Sequence, residues 1–137
     1  MKLGVIGSPI EHSKSPEIHT NFADQFDLEL VFEKYLVSKN ECLEWVKSFF
    51  ESGGLGLSVT HPLKEVVLEI ADDISFRAKQ AAAANMLFLK DGKIFADCTD
   101  GLGLVTDLKT KEIDIAGKKI LILGAGGCLL YTSDAAD

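Results

Sequence analysis

Four short polar segments contain the residues of this chain that can do chemistry. They are residues 13–16, 60–64, 97–101 and 124–127, and they supply hydroxyls, a lysine, an aspartate and a glycine-rich turn. Each lies where an apolar segment typical of a strand gives way to a helical pattern. Ligands of an open α/β sheet bind at the carboxyl ends of its strands. The segments therefore predict a site for a small, oxygen-rich substrate beside a nucleotide.

Ser13 and Ser15 lie at the start of a predicted helix. The unpaired N–H groups of a helix N-terminus attract anions, and serine hydroxyls donate further hydrogen bonds without adding charge. The two serines can therefore bind a carboxylate. In the alternative interpretation Ser15 is only the N-cap before Pro16, although that role leaves Ser13 unexplained.

Lys64 follows a predicted strand, and we place it in the first turn of a helix that begins near Pro62. The helix dipole disfavours a cation there by about 0.3–1 kcal/mol, which suggests a use in proton donation. The alternative is a surface lysine balanced by Glu65. Thr60 is either a ligand contact or a local cap.

Asp100 follows another predicted strand and precedes Gly101. It can cap the next helix, or it can face the same crevice as Lys64. A carboxylate beside an ammonium group holds the lysine in place and accepts a hydrogen bond from a substrate hydroxyl. Asn85 begins an apolar strand and offers both a donor and an acceptor, unless it is only a turn residue.

A glycine-rich turn follows the apolar segment 118–123, as in a dinucleotide pyrophosphate loop. It consists of Gly124, Ala125, Gly126 and Gly127. The helix that this loop needs is not indicated by residues 128–137, which look like the translation of a transposase sequencing adapter. We therefore expect residues 128–137 not to be native, the natural sequence to be cut off at Gly127, and the chain as given to be inactive.

The alternation of strand and helix patterns predicts the fold class. We expect an α/β fold with an open, mixed, mostly parallel sheet and flanking helices, followed by the first strand of a Rossmann-like domain. Residues 1–112 are assigned to a substrate-binding domain and residues 113–127 to the start of the nucleotide-binding domain.

Local patterns predict individual elements. A hairpin of residues 85–89 and 93–98, with Asp91 and Gly92 as its turn, makes the sheet mixed. In the first helix, three apolar residues at steps of four share a face, namely Ile18, Phe22 and Phe26. Asn40 is expected to cap the second helix, and residues 74–83 are expected to be helical.

Composition excludes several classes of function. A chain of 137 residues with 47% hydrophobic and 26% charged residues is typical of one globular domain. The net charge of −7 argues against nucleic-acid binding. We expect no membrane span and no signal peptide, hence a cytoplasmic protein. The three cysteines and three histidines lack metal-ligand spacing, so no metal is expected.

In this order and at these separations, the four segments resemble those of the shikimate dehydrogenase family, over residues 1–127. The resemblance implies NADP-dependent, reversible reduction of 3-dehydroshikimate to shikimate in the pathway to the aromatic amino acids. Shikimate or 3-dehydroshikimate would be the small-molecule partner, and a homodimer is compatible with the sequence. Departures from the family pattern occur at Ser58, His61, Met86 and Cys98.

The resemblance also assigns roles to individual residues. Ser13 and Ser15 would hold the substrate carboxylate, and Thr60 a substrate hydroxyl. Lys64 would perform acid–base chemistry, partnered by Asp100. The remaining assignments are a substrate contact for Asn85 and a cofactor loop at Gly124, Ala125, Gly126 and Gly127. The alternatives are an enzyme acting on quinate, or on both polyols, and a non-catalytic carboxylate-binding module.

Overall fold

The computed structural model describes residues 1–121 and 123. The strands are β1 (Lys2–Gly7), β2 (Val31–Leu36), β3 (Gly56–Val59), β4 (Asp73–Ile74), β5 (Met86–Lys90) and β6 (Lys93–Asp97). The helices are α1 (Ser15–Asp24), α2 (Cys42–Glu51), α3 (Phe76–Ala81) and α4 (Asp100–Thr110), with a 3-10 helix at Val66–Ile70. Within this part of the chain, no helix has the length and apolar character needed to cross a membrane.

The strands form one mixed sheet in the order β2-β1-β3-β5-β6-β4. Strand β1 is parallel to β2 and β3, β4 is parallel to β6, and β5 is antiparallel to both of its neighbours. The predicted fold class, an open, mixed and mostly parallel sheet with flanking helices, is confirmed. The carboxyl ends of β1, β3 and β6 and the amino end of β5 consequently share one edge of the sheet.

The core lies between one face of the sheet and the helices α2, α3 and the 3-10 helix. Fully buried residues include Ile6, Val46, Leu57, Leu63 and Leu87. Burying each such side chain stabilises the fold by about 1.5–3 kcal/mol relative to an exposed position. This packed layer holds the ends of β1, β3 and β5 in fixed relative positions.

The opposite face of the sheet is covered by α1. His19 stacks on Phe32 of β2 with ring centroids 4.4 Å apart, and Ala23, one turn later, is buried. The three residues predicted to share an apolar face are exposed, since Ile18, Phe22 and Phe26 have 46%, 53% and 72% of their surface accessible. The face that contacts the sheet is the neighbouring one, which carries His19 and Ala23.

The predicted hairpin is confirmed. Strands β5 and β6 pair antiparallel, and the turn residues Asp91 and Gly92 have φ values of 52° and 75°. Positive φ at both central residues is required by the type I′ turn, which matches the twist of the strands. The sequence signal is local, so it could be read without knowledge of the rest of the fold.

The helix predicted to begin near Pro62 is wrong. The Lys64 carbonyl accepts a hydrogen bond from the Ala84 N–H at 2.7 Å, whereas the Leu68 N–H donates to Glu65 in a 3-10 pattern. The segment is therefore a turn that leads into the 3-10 helix at Val66–Ile70, and Lys64 does not lie in an α-helical first turn. Lys64 is therefore not exposed to the helix dipole that the sequence predicted for it.

Other element boundaries also differ from prediction. The N-cap of α2 is Glu41 rather than Asn40. Helix α3 ends at Ala81 because Ala82 takes a left-handed conformation, with φ of 47°. No strand is formed by residues 118–121 and 123. A parallel strand needs a neighbour to satisfy its backbone groups, and no described strand pairs with this segment.

Candidate active site

The six residues predicted to contact substrate line one open cleft of about 290 Å³, at the shared edge of the sheet. They are Ser13, Ser15, Thr60, Lys64, Asn85 and Asp100. Ser13 and Ser15 follow β1, Thr60 and Lys64 follow β3, Asn85 precedes β5, and Asp100 follows β6. Because β5 runs opposite to its neighbours, the residue before it reaches the same edge as the residues after the other strands.

Lys64 and Asp100 form an ion pair across the cleft. The Lys64 ammonium nitrogen lies 2.6 Å from Oδ2 of Asp100, and the two side chains are 26% and 34% exposed. Two backbone contacts fix the turn that carries Lys64, from Leu63 N–H to the Thr60 carbonyl at 2.9 Å and from Ala84 N–H to the Lys64 carbonyl at 2.7 Å. The ammonium group is thereby held at a defined place in the cleft.

Asn85 joins Asp100 to the end of β6. Its Nδ2 donates to Oδ1 of Asp100 at 2.8 Å and to Oγ1 of Thr99 at 3.0 Å. Its Oδ1 accepts from the Thr99 N–H at 2.9 Å. The turn-residue interpretation therefore does not describe its role, because Asn85 fixes the orientation of the Asp100 carboxylate.

The two serines lie at the amino end of α1. The N-cap position belongs to Lys14, which makes no side-chain cap, and Ser15 is the first helical residue. The Ser13 and Ser15 hydroxyl oxygens are 3.2 Å apart, and the Ser15 N–H donates to the Ser13 hydroxyl at 3.3 Å. Both contacts are longer than the usual hydrogen bond, so an anion could replace them at little cost.

Thr60 is placed by the parallel sheet. Its N–H donates to the Ile6 carbonyl at 3.0 Å, which continues the pairing of β1 with β3 beyond the last strand residue. Thr60 belongs to the lining of the cleft. A hydroxyl at this position can donate to or accept from a ligand hydroxyl.

Sequence reasoning missed half of the cleft lining: Val5, Pro9, Ile10, His12, Ser58 and Val59. A signal existed for Ser58, since it precedes Thr60 by two positions and side chains alternate along a strand. The register confirms this placement, because Ser58 pairs with Val5, another lining residue. Pro9, Ile10 and His12 gave no signal, since they reach the cleft through the loop after β1, and Val5 and Val59 gave none because they are apolar residues of the strands β1 and β3.

His19 lies behind Ser58. The Ser58 hydroxyl and Nε2 of His19 are 3.5 Å apart, and the imidazole stacks on Phe32. Burial between helix and sheet lowers the pKa of His19 below its usual range. A neutral imidazole is therefore favoured at this position.

The described residues contain no group of three or more histidine, cysteine, aspartate or glutamate side chains that could hold a metal ion. The predicted cofactor residues Gly124, Ala125, Gly126 and Gly127 lie outside the described residues.

Comparison with known proteins agrees with this geometry. A family model described as the shikimate dehydrogenase substrate binding domain matches residues 5–87. The NADP(+)-dependent shikimate dehydrogenase of Methylococcus capsulatus is 48% identical over 128 residues, which cover 92% of this chain and 46% of the relative. The corresponding protein of Colwellia psychrerythraea is 47% identical, with 90% and 45% covered.

A solved structure of shikimate 5-dehydrogenase from Listeria monocytogenes, in complex with shikimate and NAD, has the same fold. It is 32% identical, with a TM-score of 0.90, and the match covers 98% of this chain and 47% of that one. The chain thus spans about half the length of the curated relatives it matches. The family resemblance drawn from the four polar segments is confirmed, and this chain belongs to the shikimate dehydrogenase family through its substrate-binding domain.

Proposed function

We propose that this chain supplies the substrate-binding domain of an NADP-dependent shikimate dehydrogenase, which reversibly reduces 3-dehydroshikimate to shikimate. The observation that carries the proposal is the contact of 2.6 Å between Lys64 and Asp100, in a cleft that also contains serine and threonine hydroxyls. The names of the curated relatives support the reaction and the cofactor.

Ser13 and Ser15 are proposed to bind the substrate carboxylate. Their hydroxyls face the cleft at the amino end of α1, and their mutual contacts of 3.2 and 3.3 Å are weak. Hydrogen bonds to a charged group are stronger than those between neutral groups, so a carboxylate would displace the contacts between the serines. The two serines would thereby fix the end of the shikimate ring that carries the carboxylate.

Lys64 and Asp100 are proposed to act at the other end of the ring. Reduction of the ketone places negative charge on its oxygen, and Lys64 either donates a proton to that oxygen or stabilises the charge electrostatically. Asp100 holds the ammonium group and accepts a hydrogen bond from a neighbouring ring hydroxyl. In the oxidation direction, Lys64 takes up the proton that the substrate hydroxyl loses.

Thr60 and Asn85 are proposed to orient the ring between these two ends. Both line the cleft, and Asn85 also keeps the Asp100 carboxylate in place through the contact at 2.8 Å. Alignment of the reacting atoms matters because small misplacements reduce the rate steeply.

When bound, NADPH supplies the reducing equivalent for the ketone carbon. Its proposed loop, Gly124, Ala125, Gly126 and Gly127, lies outside the described residues. The described cleft fits a second ligand in one respect, since the Lys64 and Asp100 side chains keep 26% and 34% of their surface exposed. A cofactor can therefore approach the substrate from the open side.

We further propose that the protein acts in the cytoplasm on this small molecule. We expect no nucleic-acid partner, because a chain with a net charge of −7 offers no basic stripe to a polyanion.

Calorimetric titration of the 137-residue chain with shikimate, quinate and benzoate tests the proposed function. We expect shikimate to bind more tightly than quinate and benzoate. We also expect Asp100→Asn to weaken the binding of shikimate more than the binding of benzoate. Asp107→Asn is the matched control. Asp107 lies on α4, as Asp100 does, and forms an exposed ion pair with Lys111.

Each other outcome contradicts the proposal in a different way. Tighter binding of quinate would indicate a quinate enzyme, and equal binding of benzoate would indicate a non-catalytic carboxylate-binding module. If shikimate does not bind, the cleft is not a shikimate site.

A further inference from the structure

Asp97 is the one charged residue that is buried in the part of the chain that the structure describes, with 6% of its surface exposed. It is the last residue of β6, three positions before Asp100. A buried carboxylate costs free energy unless it is paired and hydrogen-bonded. Its partners therefore show what the charge does at this position.

The Asp97 carboxylate accepts hydrogen bonds from two side chains of the α3 region and from the backbone that leads to Asp100. Arg77 donates from Nε at 3.1 Å and also from Nη2, and the Ser75 hydroxyl donates at 2.6 Å. The Cys98 N–H donates at 2.8 Å. Burial by itself raises the pKa of Asp97, but these hydrogen bonds outweigh it and hold the pKa below its usual range.

Neither Arg77 nor Ser75 lines the cleft. Ser75 is the N-cap of α3 and accepts a hydrogen bond from the Ala78 N–H at 3.1 Å, so its position is fixed by the helix. The Asp97 carboxylate consequently ties the first peptide group after β6 to a rigid helix end. The backbone carbonyl of Asp97 also accepts a hydrogen bond from the Asn85 N–H, at 3.0 Å.

The segment between β6 and Asp100 consists of Cys98 and Thr99, and Cys98 is fully buried in the core. The N-cap of α4, Thr99, makes no side-chain cap, and the buried residues of α4 are Gly101 and Val105. Two backbone hydrogen bonds add to this packing, since the Cys98 N–H donates to the Asp97 carboxylate and the Thr99 N–H donates to Oδ1 of Asn85. Movement of either contact would displace the Asp100 carboxylate from Lys64.

We propose that Arg77 and Asp97 are positioning residues for the Lys64–Asp100 pair: the buried ion pair fixes the end of β6 against α3, and thereby the place from which Asp100 holds Lys64. This inference deepens the proposed function, since it adds two residues that act on the site without touching the substrate. The alternative is that the ion pair only attaches α3 to the sheet.

The test uses the 137-residue chain and the variants Arg77→Gln, Arg77→Lys and Asp97→Asn. Val46→Ala is the control, because Val46 is fully buried in α2 and away from the cleft, so its loss lowers the melting temperature without touching the site. Two readouts are recorded at a temperature where every variant is folded. They are the Asp100 ¹³Cγ and Lys64 ¹⁵Nζ chemical shifts without ligand, and the affinity for shikimate.

We expect Arg77→Gln and Asp97→Asn to move both resonances and to weaken shikimate binding about tenfold, because small displacements in a site have large effects. Arg77→Lys should restore part of both effects, since it returns a positive charge to Asp97. Val46→Ala should change neither readout.

The inference is overturned if both resonances stay in place in Arg77→Gln, or if Val46→Ala moves them as far. Should Asp97→Asn fail to fold, Arg77→Gln decides, because the Arg77 side chain is 31% exposed and its replacement is less disruptive. If the unmodified chain does not bind shikimate, the proposed function fails, and the resonances measured without ligand still decide on positioning.

Discussion

Lys64 and Asp100 are 36 positions apart in the chain, and their charged groups lie 2.6 Å from one another. The second oxygen of the same carboxylate accepts from Asn85 at 2.8 Å. Both carboxylate oxygens are therefore engaged by side chains from different strand ends. Such a carboxylate cannot rotate freely, so it fixes the direction from which the ammonium group meets a ligand.

Replacement of Lys64 should affect turnover more than binding. In a chimaera that joins residues 1–127 to the remaining half of the Methylococcus capsulatus relative, Lys64→Ala should lower kcat about 10²–10⁴-fold, as expected for loss of a proton donor. The KM for shikimate should change only about threefold, because the serines still bind the carboxylate and Thr60 still contacts the ring. Steady-state kinetics of shikimate oxidation measure both.

The control for Lys64 is Lys47→Ala, which removes an exposed lysine paired with Glu51 at 3.9 Å. We expect this variant to keep unmodified kinetics, because exposed ion pairs contribute little. Equal losses in kcat and in shikimate affinity for Lys64→Ala would make Lys64 a binding residue rather than a catalytic one.

Loss of the two serine hydroxyls should remove recognition of the carboxylate. Ser13→Ala with Ser15→Ala should cost about 2 kcal/mol, or roughly thirtyfold in shikimate affinity, as for hydrogen bonds to a charged group. The affinity for the methyl ester of shikimate, which lacks the negative charge, should fall much less in the same double variant. Calorimetry with both ligands, and with Ser38→Ala as control, measures the difference. A loss of equal size for the ester would show that the serines do not bind the carboxylate.

A second carboxylate beside Asp100 should destabilise the site. Asn85→Asp replaces a donor at 2.8 Å with a like charge, and we expect the free energy of unfolding to fall by about 1–3 kcal/mol at pH 7. At pH 4 one of the two carboxyl groups can take up a proton, so the loss should shrink. Urea denaturation of Asn85→Asp and Asn85→Ala at both pH values separates repulsion from simple loss of contacts. Losses that do not change with pH would contradict the repulsion.

The gathering of the site could be predicted because it depends on strand ends, which local patterns mark well. Thr60 and Asp100 each follow an apolar strand, and the Asp91-Gly92 turn indicates that β5 reverses direction. Reversal places Asn85 at the same edge of the sheet. The meeting of Lys64 and Asp100 therefore followed from topology, whereas the substrate contact of Asn85 was expected only from the family resemblance.

The local structure around Lys64 could not be predicted in the same way. A proline followed by helix-compatible residues indicates an α-helix, but the Lys64 carbonyl bonds to Ala84, twenty positions away. The prediction of the buried face of α1 was wrong for a related reason. His19 gains a stacking partner in Phe32 of β2, and this tertiary contact sets the orientation of the helix. Buried Asp97 gave no signal, because its partners Ser75 and Arg77 belong to another element.

The stability of the domain should fall as His19 takes up a proton. Burial against Phe32 lowers the pKa of His19 in the folded state, so the unfolded chain, with an ordinary pKa near 6.5, binds the proton more readily. Stability contributed by the neutral ring is therefore complete above about pH 6.5 and decreases as the pH falls towards the folded pKa.

His19→Phe keeps an aromatic ring against Phe32 but has no titrating group. Urea denaturation at pH 7.0 and 5.5 should show a larger loss for the unmodified chain than for His19→Phe. The same loss in both proteins would mean that other groups cause the pH dependence and that the imidazole at this position does not contribute.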